Sequence, residues 1–153
     1  KIKIPFYPVP MTMQTFVVLF LGISFGYKIG LATVSLYLLE GIVGLPVFSN
    51  SPEKGTGLIY FVGPTMGYLI GFLLATFLAG YLNLKTNVFL IFFKLILSVS
   101  TIYILGILWL GNIIGWDKPV FELGAAPFLI AELFKIILLT LLTKTILNFR
   151  NFI

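Results

Sequence analysis

Five apolar runs dominate this chain, at 12–27, 29–48, 59–82, 86–115 and 125–147, and none of them alternates in polarity. About 20 such residues cross a bilayer as a helix, whereas a membrane β-strand shows short segments of alternating character. Stretches such as FVVLFLGI, LIGFLLATFLAGYL and VFLIFFKLILSV therefore predict helices, the form that satisfies every backbone group in hydrocarbon. The expected fold is all-α, a polytopic membrane helix bundle, with residues 1–153 forming a single transmembrane domain.

Against that background the last run carries an anomaly, Glu132 and Lys135. A charge at the centre of a membrane helix costs about 2.5–3.5 kcal/mol, while each Leu, Ile, Phe or Val returns only about 0.3–0.6. Positions three apart share a helix face, so the pair points together into protein or a cavity rather than lipid. Such a pair is either a structural ion pair or a ligand site offering one acceptor and one donor.

The chain has no Cys and no His, which excludes disulfides, Cys/His zinc sites, Cys nucleophiles and His-based triads. No nucleophile and base stand at a useful spacing, so an enzyme is not expected, and no cofactor is implied. Lys85-Thr86 follows Leu84 where a phosphate-binding loop requires Gly, so the chain hydrolyses no nucleotide itself. A net charge of +5 in a soluble protein would suggest nucleic acid; here the cations sit at the ends of apolar runs and bias orientation in the lipid bilayer instead.

Alternate connections fall on opposite sides. One side collects Lys28, Lys85, Lys144 and Arg150 with no acid, and Lys94 lies close to it; the other mixes Lys1, Lys3, Lys54 and Lys118 with Glu53, Asp117 and Glu122. The positive-inside rule makes the first side cytoplasmic, with the C-terminus inside and Lys1 outside. An outside start without a signal-peptide pattern leads to the expectation of a further helix before Lys1, six spans in all. Pro5, Pro8 and Pro10 make the first ten residues an extended, non-helical segment.

Small residues recur every four positions, at Gly22, Gly26 and Gly30 and at Gly63, Gly67, Gly71, Ala75 and Ala79. These stripes suit close helix approach, within the bundle or against a partner subunit. Tyr27, Tyr81, Tyr103, Trp109 and Trp116 read as interfacial anchors, Lys94 as a snorkelling side chain, and Glu40 as a charge deep in the second span that needs a partner. Pro64, between Gly63 and Gly67, loosens the backbone at the start of the third span.

Polar groups converge at the outer ends: Thr12 and Gln14, Tyr37, Ser49 and Asn50, Thr65 and Tyr68, and Glu132 with Lys135. With the last span running inward from about residue 125, Glu132 lies roughly 10 Å below the outer surface. A pocket open to that side follows.

PVPMTMQTFVVLFLG, SLYLLEGIVGLPVF and GPTMGYLIGF, in that order, closely resemble signature blocks of the BioY family, the biotin-specific S components of energy-coupling factor transporters, with a weaker echo at PFLIAELFK. The resemblance covers most of residues 5–80. It implies a six-helix protein of the bacterial cytoplasmic membrane that captures biotin at its outer face, partnered by a transmembrane coupling subunit and two ATP-binding subunits. It also implies that the first helix of the family, with its small docking residues, is absent from this chain.

Under that resemblance Glu132 and Lys135 would read the two ends of biotin's ureido ring, and Phe16, Tyr37, Phe48 and Tyr68 would wall its apolar ring. The family usually places Asp after Pro-Gly where this chain has Ile130-Ala131-Glu132, and Gly where it has Met66, a change expected to narrow the cavity. Competing readings are an S component for riboflavin or thiamine, and a non-transporting helical scaffold whose charged pair is structural.

Overall fold

The computed structural model describes residues 3–4, 9, 11–49 and 55–150, apart from the side chains of residues 3, 4 and 149. Asn50, proposed above for the site, and the charges Lys1, Glu53 and Lys54 lie outside the described residues, as do Pro5, Pro8 and Pro10. Lys3–Ile4 pairs antiparallel with Met11–Thr12, with Lys3 opposite Thr12 and Ile4 opposite Met11. The other described residues form helices, turns and short irregular connections.

Helix α1, Gln14–Ile42, is a hairpin. Gly26 breaks it with φ 76 and ψ 173, backbone that a residue with a Cβ rarely adopts. Twenty-three residues of straight helix would extend about 34 Å, yet Gln14 hydrogen-bonds the Tyr37 hydroxyl. The first two expected spans are thus its arms, 14–25 and 27–42, and they reverse at Gly26 rather than at Lys28. A polar residue marked the turn in sequence; the backbone freedom of glycine makes it.

The second arm stops at Ile42, six residues short of the expected end. Gly44 at φ 104 and Pro46 end helical geometry, and Phe48 spends its apolar surface on an aromatic cluster with Tyr37, Tyr60 and Phe61. Glu40 consequently sits in the last turn of its helix, half-buried, and not deep in a span.

The third run divides into α2, Leu58–Phe61, and α3, Met66–Tyr81, across a turn at Gly63 to Thr65 that contains Pro64. Helix α4, Val88–Ile114, starts on an Asn87 cap whose side chain accepts from the Leu90 amide at 2.8 Å and ends at Gly115, φ 93. A short α5, Val120–Gly124, and a single 3-10 turn, Ala126–Phe128, lead into α6, Leu129–Arg150. Gln14–Ile42, Val88–Ile114 and the segment Val120–Asn148 are long and apolar enough to cross a membrane, and Met66–Tyr81 is a shorter apolar helix. Counting the two arms of α1 separately, five helical segments run along the bundle, in rough accord with the five apolar runs.

The small-residue stripes are used inside the bundle. A Cβ on Gly22 would lie 2.6 Å from the Thr76 carbonyl, one on Gly80 2.3 Å from the Tyr27 amide, and one on Gly71 2.6 Å from the Ile102 Cα. Helix α3 is thereby clamped between the α1 hairpin and α4, backbone against backbone, the packing that substitutes for hydrophobic drive in lipid. Buried hydroxyls in this region bond to their own helix: Thr76 to the Phe72 carbonyl at 2.7 Å, Thr140 to Ile136 at 2.7 Å, Thr143 to Leu139 at 2.6 Å. Thr76 adds a longer 3.4 Å reach to the Val18 carbonyl of α1, while Thr140 and Thr143 bond within their own helix.

Candidate functional site

At the end of the bundle away from Gly26 the polar groups bond between elements instead. Glu132 in the first turn of α6 and Lys135 one turn on are buried, 5% and 8% exposed, and form an ion pair of 2.7 Å. The Lys135 ammonium has three N–H donors, and all three are used: Glu132 Oε1 at 2.7 Å, Thr15 Oγ1 at 3.0 Å, and the Thr12 carbonyl at 2.6 Å. Thr15 in turn donates to Glu132 Oε1 at 2.8 Å. The first arm of α1 and α6 are locked together by this triangle.

One atom is left over. Glu132 Oε2 is buried and reaches hydrogen-bond geometry with no described residue, although the Tyr103 hydroxyl interacts with the same carboxylate. A buried carboxylate oxygen without a donor is a costly arrangement for packing alone, and Glu132 lines a cavity together with Thr12, Gln14, Thr15, Ser49, Thr65, Tyr68 and Tyr103. Thr65, the residue before α3, accepts the Leu69 amide on its carbonyl at 3.2 Å, and its side chain makes no hydrogen bond to another described residue.

The cavity measures about 50 Å³. A second one, about 440 Å³ and mostly apolar, lies between the two arms of the hairpin and is lined by Val17, Val18, Leu21, Val34 and Tyr37. The two share Thr12, Gln14, Ser49 and Phe72. Gln14 is the partition: its oxygen accepts from Ser49 at 2.9 Å and Thr12 at 3.1 Å, and its nitrogen donates to Tyr37.

Of the residues expected at the site, Thr12, Gln14, Thr65, Tyr68 and Glu132 line the smaller cavity, and Tyr37 lines the larger one. Tyr68 is fixed by donating to the Gly124 carbonyl at 2.8 Å. Lys135 stands behind the carboxylate and does not face the smaller cavity, so it orients and neutralises Glu132 rather than offering a free donor. Phe16 stacks on Phe20 and lines neither cavity. Phe48, 1% exposed, is also outside both; its ring fills the space a side chain on Gly41 would need. Met66 lines neither cavity, because the next helical position turns about 100° away from Thr65. It does not narrow the site.

Thr15 and Tyr103 are the residues that sequence reading missed. Thr15 is the second residue of α1, while Thr12 lies in the strand before it, so no helical spacing in the sequence pointed to the pair. Tyr103, read as an interfacial anchor, instead stands edge-on to Tyr68 with ring centroids 6.1 Å apart and lines the cavity with Glu132. It is 11 residues from the end of α4, about 16 Å at helical rise, too deep for a surface belt. Among the described residues no group of three or more His, Cys, Asp or Glu could hold a metal.

The family model for the BioY family matches residues 1–151. The chain is 37% identical over 142 residues to the "Biotin transporter BioY" of Thermotoga maritima, covering 92% of this chain and 82% of that protein. It is 33% identical over 135 residues to the "Probable biotin transporter BioY" of Pyrococcus horikoshii, covering 88% and 78%. Among solved structures, the S-component for biotin from an ECF-type ABC transporter superposes with a TM-score of 0.77 at 26% identity, over 93% of this chain and 77% of that one.

Proposed function

The chain belongs to the BioY family, and on that premise we propose that it captures biotin as the membrane-embedded S component of an ECF-type transporter. A transport component, not an enzyme, is what the family provides. The observation that carries the ligand reading is the orphaned Oε2 of Glu132, a buried acceptor on a residue that lines a mostly apolar cavity with a few polar groups.

Biotin's ureido ring supplies N–H donors to that oxygen, and the Thr65 hydroxyl is placed in the same cavity to serve the ring carbonyl. Lys135 and Thr15 hold the carboxylate charged and aimed. Tyr68, Tyr103 and Phe128 give the sulfur ring apolar and aromatic walls. Swinging Gln14 aside joins the two cavities into a volume within the roughly 300–1,000 Å³ range of small-molecule sites, so Gln14 is the gate between head and tail compartments.

Orientation follows from charge. Lys28, Lys85, Lys94, Lys144 and Arg150 cluster at the Gly26 end without a described carboxylate, whereas Glu40, Asp117 and Glu122 sit toward the site end. The positive-inside rule puts the Gly26 end and the C-terminus in the cytoplasm and opens the site outward across the cell membrane. The sequence carries no phosphate-binding loop, and in this reading uptake draws on a coupling subunit and two ATP-binding subunits.

The test is a thermal melt and calorimetric titration of the purified chain with biotin, with riboflavin and thiamine as competitors. Biotin alone should stabilise the protein; stabilisation by another vitamin but not biotin would reassign the ligand. The small volume beside Glu132 favours one second reading, a scaffold whose ion pair is structural. In that case no vitamin shifts the melt, and replacing Glu132 and Lys135 together by apolar residues preserves folding.

A further inference from the structure

Another pocket, of about 290 Å³, lies at the opposite end of the bundle, between the chain that leaves α3 and the last turn of α6. Its lining includes Tyr81, Asn83, Leu84, Lys85, Leu147 and Arg150, with no carboxylate. The Arg150 guanidinium lies over the hairpin turn, its nitrogen 2.6 Å from where a Cβ on Gly26 would stand, so only glycine there admits it. Neither that guanidinium nor the Lys85 ammonium has a hydrogen-bond or ion-pair partner among the described residues.

The loop itself is fixed. Asn83 accepts the Lys85 amide on its side-chain oxygen at 2.9 Å and the Lys94 ammonium on its carbonyl. Both oxygens of Asn83 are therefore spoken for, and what the pocket presents is cationic and donor in character. Two unpartnered cations across a preformed hollow match a phosphate oxyanion, for which arginine's fork is the preferred ligand.

We propose that this pocket binds a phosphate group, and that the group is the headgroup of an anionic lipid. The surroundings favour the lipid over free phosphate. Tyr27, Phe77 and Tyr81 form an aromatic cluster beside it, and the helix that the loop enters exposes Phe89 (78%) and Phe93 (63%) to acyl chains. A headgroup seated here ties the hairpin turn, the α3–α4 loop and the end of α6 to the leaflet surface.

Bound lipid is measured by native mass spectrometry and by melting of the purified chain in detergent supplemented with phosphatidylglycerol, phosphatidylcholine or inorganic phosphate. Phosphatidylglycerol should bind tighter than phosphatidylcholine, and Arg150→Gln and Lys85→Gln should each weaken it about fivefold. Lys144→Gln removes the same charge from the same helix outside the pocket and should leave binding within twofold. All three variants should melt with the parent when no lipid is added. A comparable shift from inorganic phosphate, lost in Arg150→Gln, supports the anion site but moves its ligand to the soluble pool. Equal binding of the two lipids, or an equal loss in Lys144→Gln, overturns the proposal.

Discussion

Thr15 and Thr143 are both buried threonines on membrane helices, and they bond in opposite senses. Thr143 turns its hydroxyl back to the Leu139 carbonyl of its own helix, and so does Thr140 in its own; Thr76 does the same at 2.7 Å beside a longer 3.4 Å reach to Val18 of α1. Thr15 reaches across to another helix, donating to Glu132 and accepting from Lys135. The middle of the bundle is thus held by backbone approach through glycine with its polar groups closed on themselves, whereas the site end is held by polar groups shared between elements. Each region leaves one oxygen over, the Ser24 hydroxyl near the hairpin turn and Glu132 Oε2 at the site, but only the second belongs to a carboxylate that lines a cavity. That difference separates polarity tolerated by a fold from polarity kept for a ligand.

The sharpest way to break this contrast is Lys135→Ala. It leaves a buried carboxylate uncompensated, for which a loss of about 3–5 kcal/mol is expected, read as a lower melting temperature in detergent together with no biotin response. The double change Glu132→Leu with Lys135→Met should recover most of the stability and none of the binding. If the double variant still responded to biotin, the pair would be structural and the site elsewhere.

Next in size is Glu132→Gln, which keeps shape and burial but replaces the free oxygen's charge. Losing a hydrogen bond to a charged group costs about 1.5–3 kcal/mol, so biotin affinity should fall at least tenfold by calorimetry. Thr15→Val removes the hydroxyl that Glu132 and Lys135 share and should cost about 1–3 kcal/mol in stability, because Lys135 loses one of three acceptors.

How far sequence could anticipate the two regions follows the same division. The apolar runs and the small-residue stripes are local patterns, and they gave five passes and the close-packed faces correctly. The Glu132/Lys135 pair was legible because a charge in lipid needs an explanation. What sequence could not supply is direction in a chain where nearly every face is apolar. Phe16 and Phe48 were as good candidates for a pocket wall as Tyr103, and only the α1 reversal at Gly26 and the collapse of Phe48 onto Gly41 decide among them. Likewise, the role of Lys135 depends on three acceptors contributed by separate parts of the structure, Thr12 and Thr15 near the first arm and Glu132 on its own helix.

The glycine-packed region should respond to size and not to ligand chemistry. In Gly80→Ala the new methyl would meet the Tyr27 amide and the Gly26 carbonyl carbon at 2.3 and 2.6 Å, backbone that cannot swing aside. Overpacking of this kind costs about 1–3 kcal/mol. The melting temperature should drop while biotin affinity of the folded fraction stays within twofold. A large change in affinity would mean that the hairpin turn and the site are coupled, and the two regions would have to be treated as one.

The smallest expected effect is the most discriminating. Thr143→Val replaces a fully buried hydroxyl by a methyl of nearly the same volume. The Leu139 carbonyl it bonded keeps its helical amide partner, and back-bonding of this kind slightly disfavours the helix in the first place. No acceptor is orphaned and no cavity opens, so stability should change by about 0.5 kcal/mol or less, with biotin binding untouched. The identical substitution at Thr15 strips a hydroxyl that two charged groups depend on. Measuring both by thermal melting, with and without biotin, holds the chemistry of the mutation constant and varies only the direction of the bond. Equal effects at the two positions would show that burial alone, and not sharing between helices, sets the worth of a polar group in this bundle.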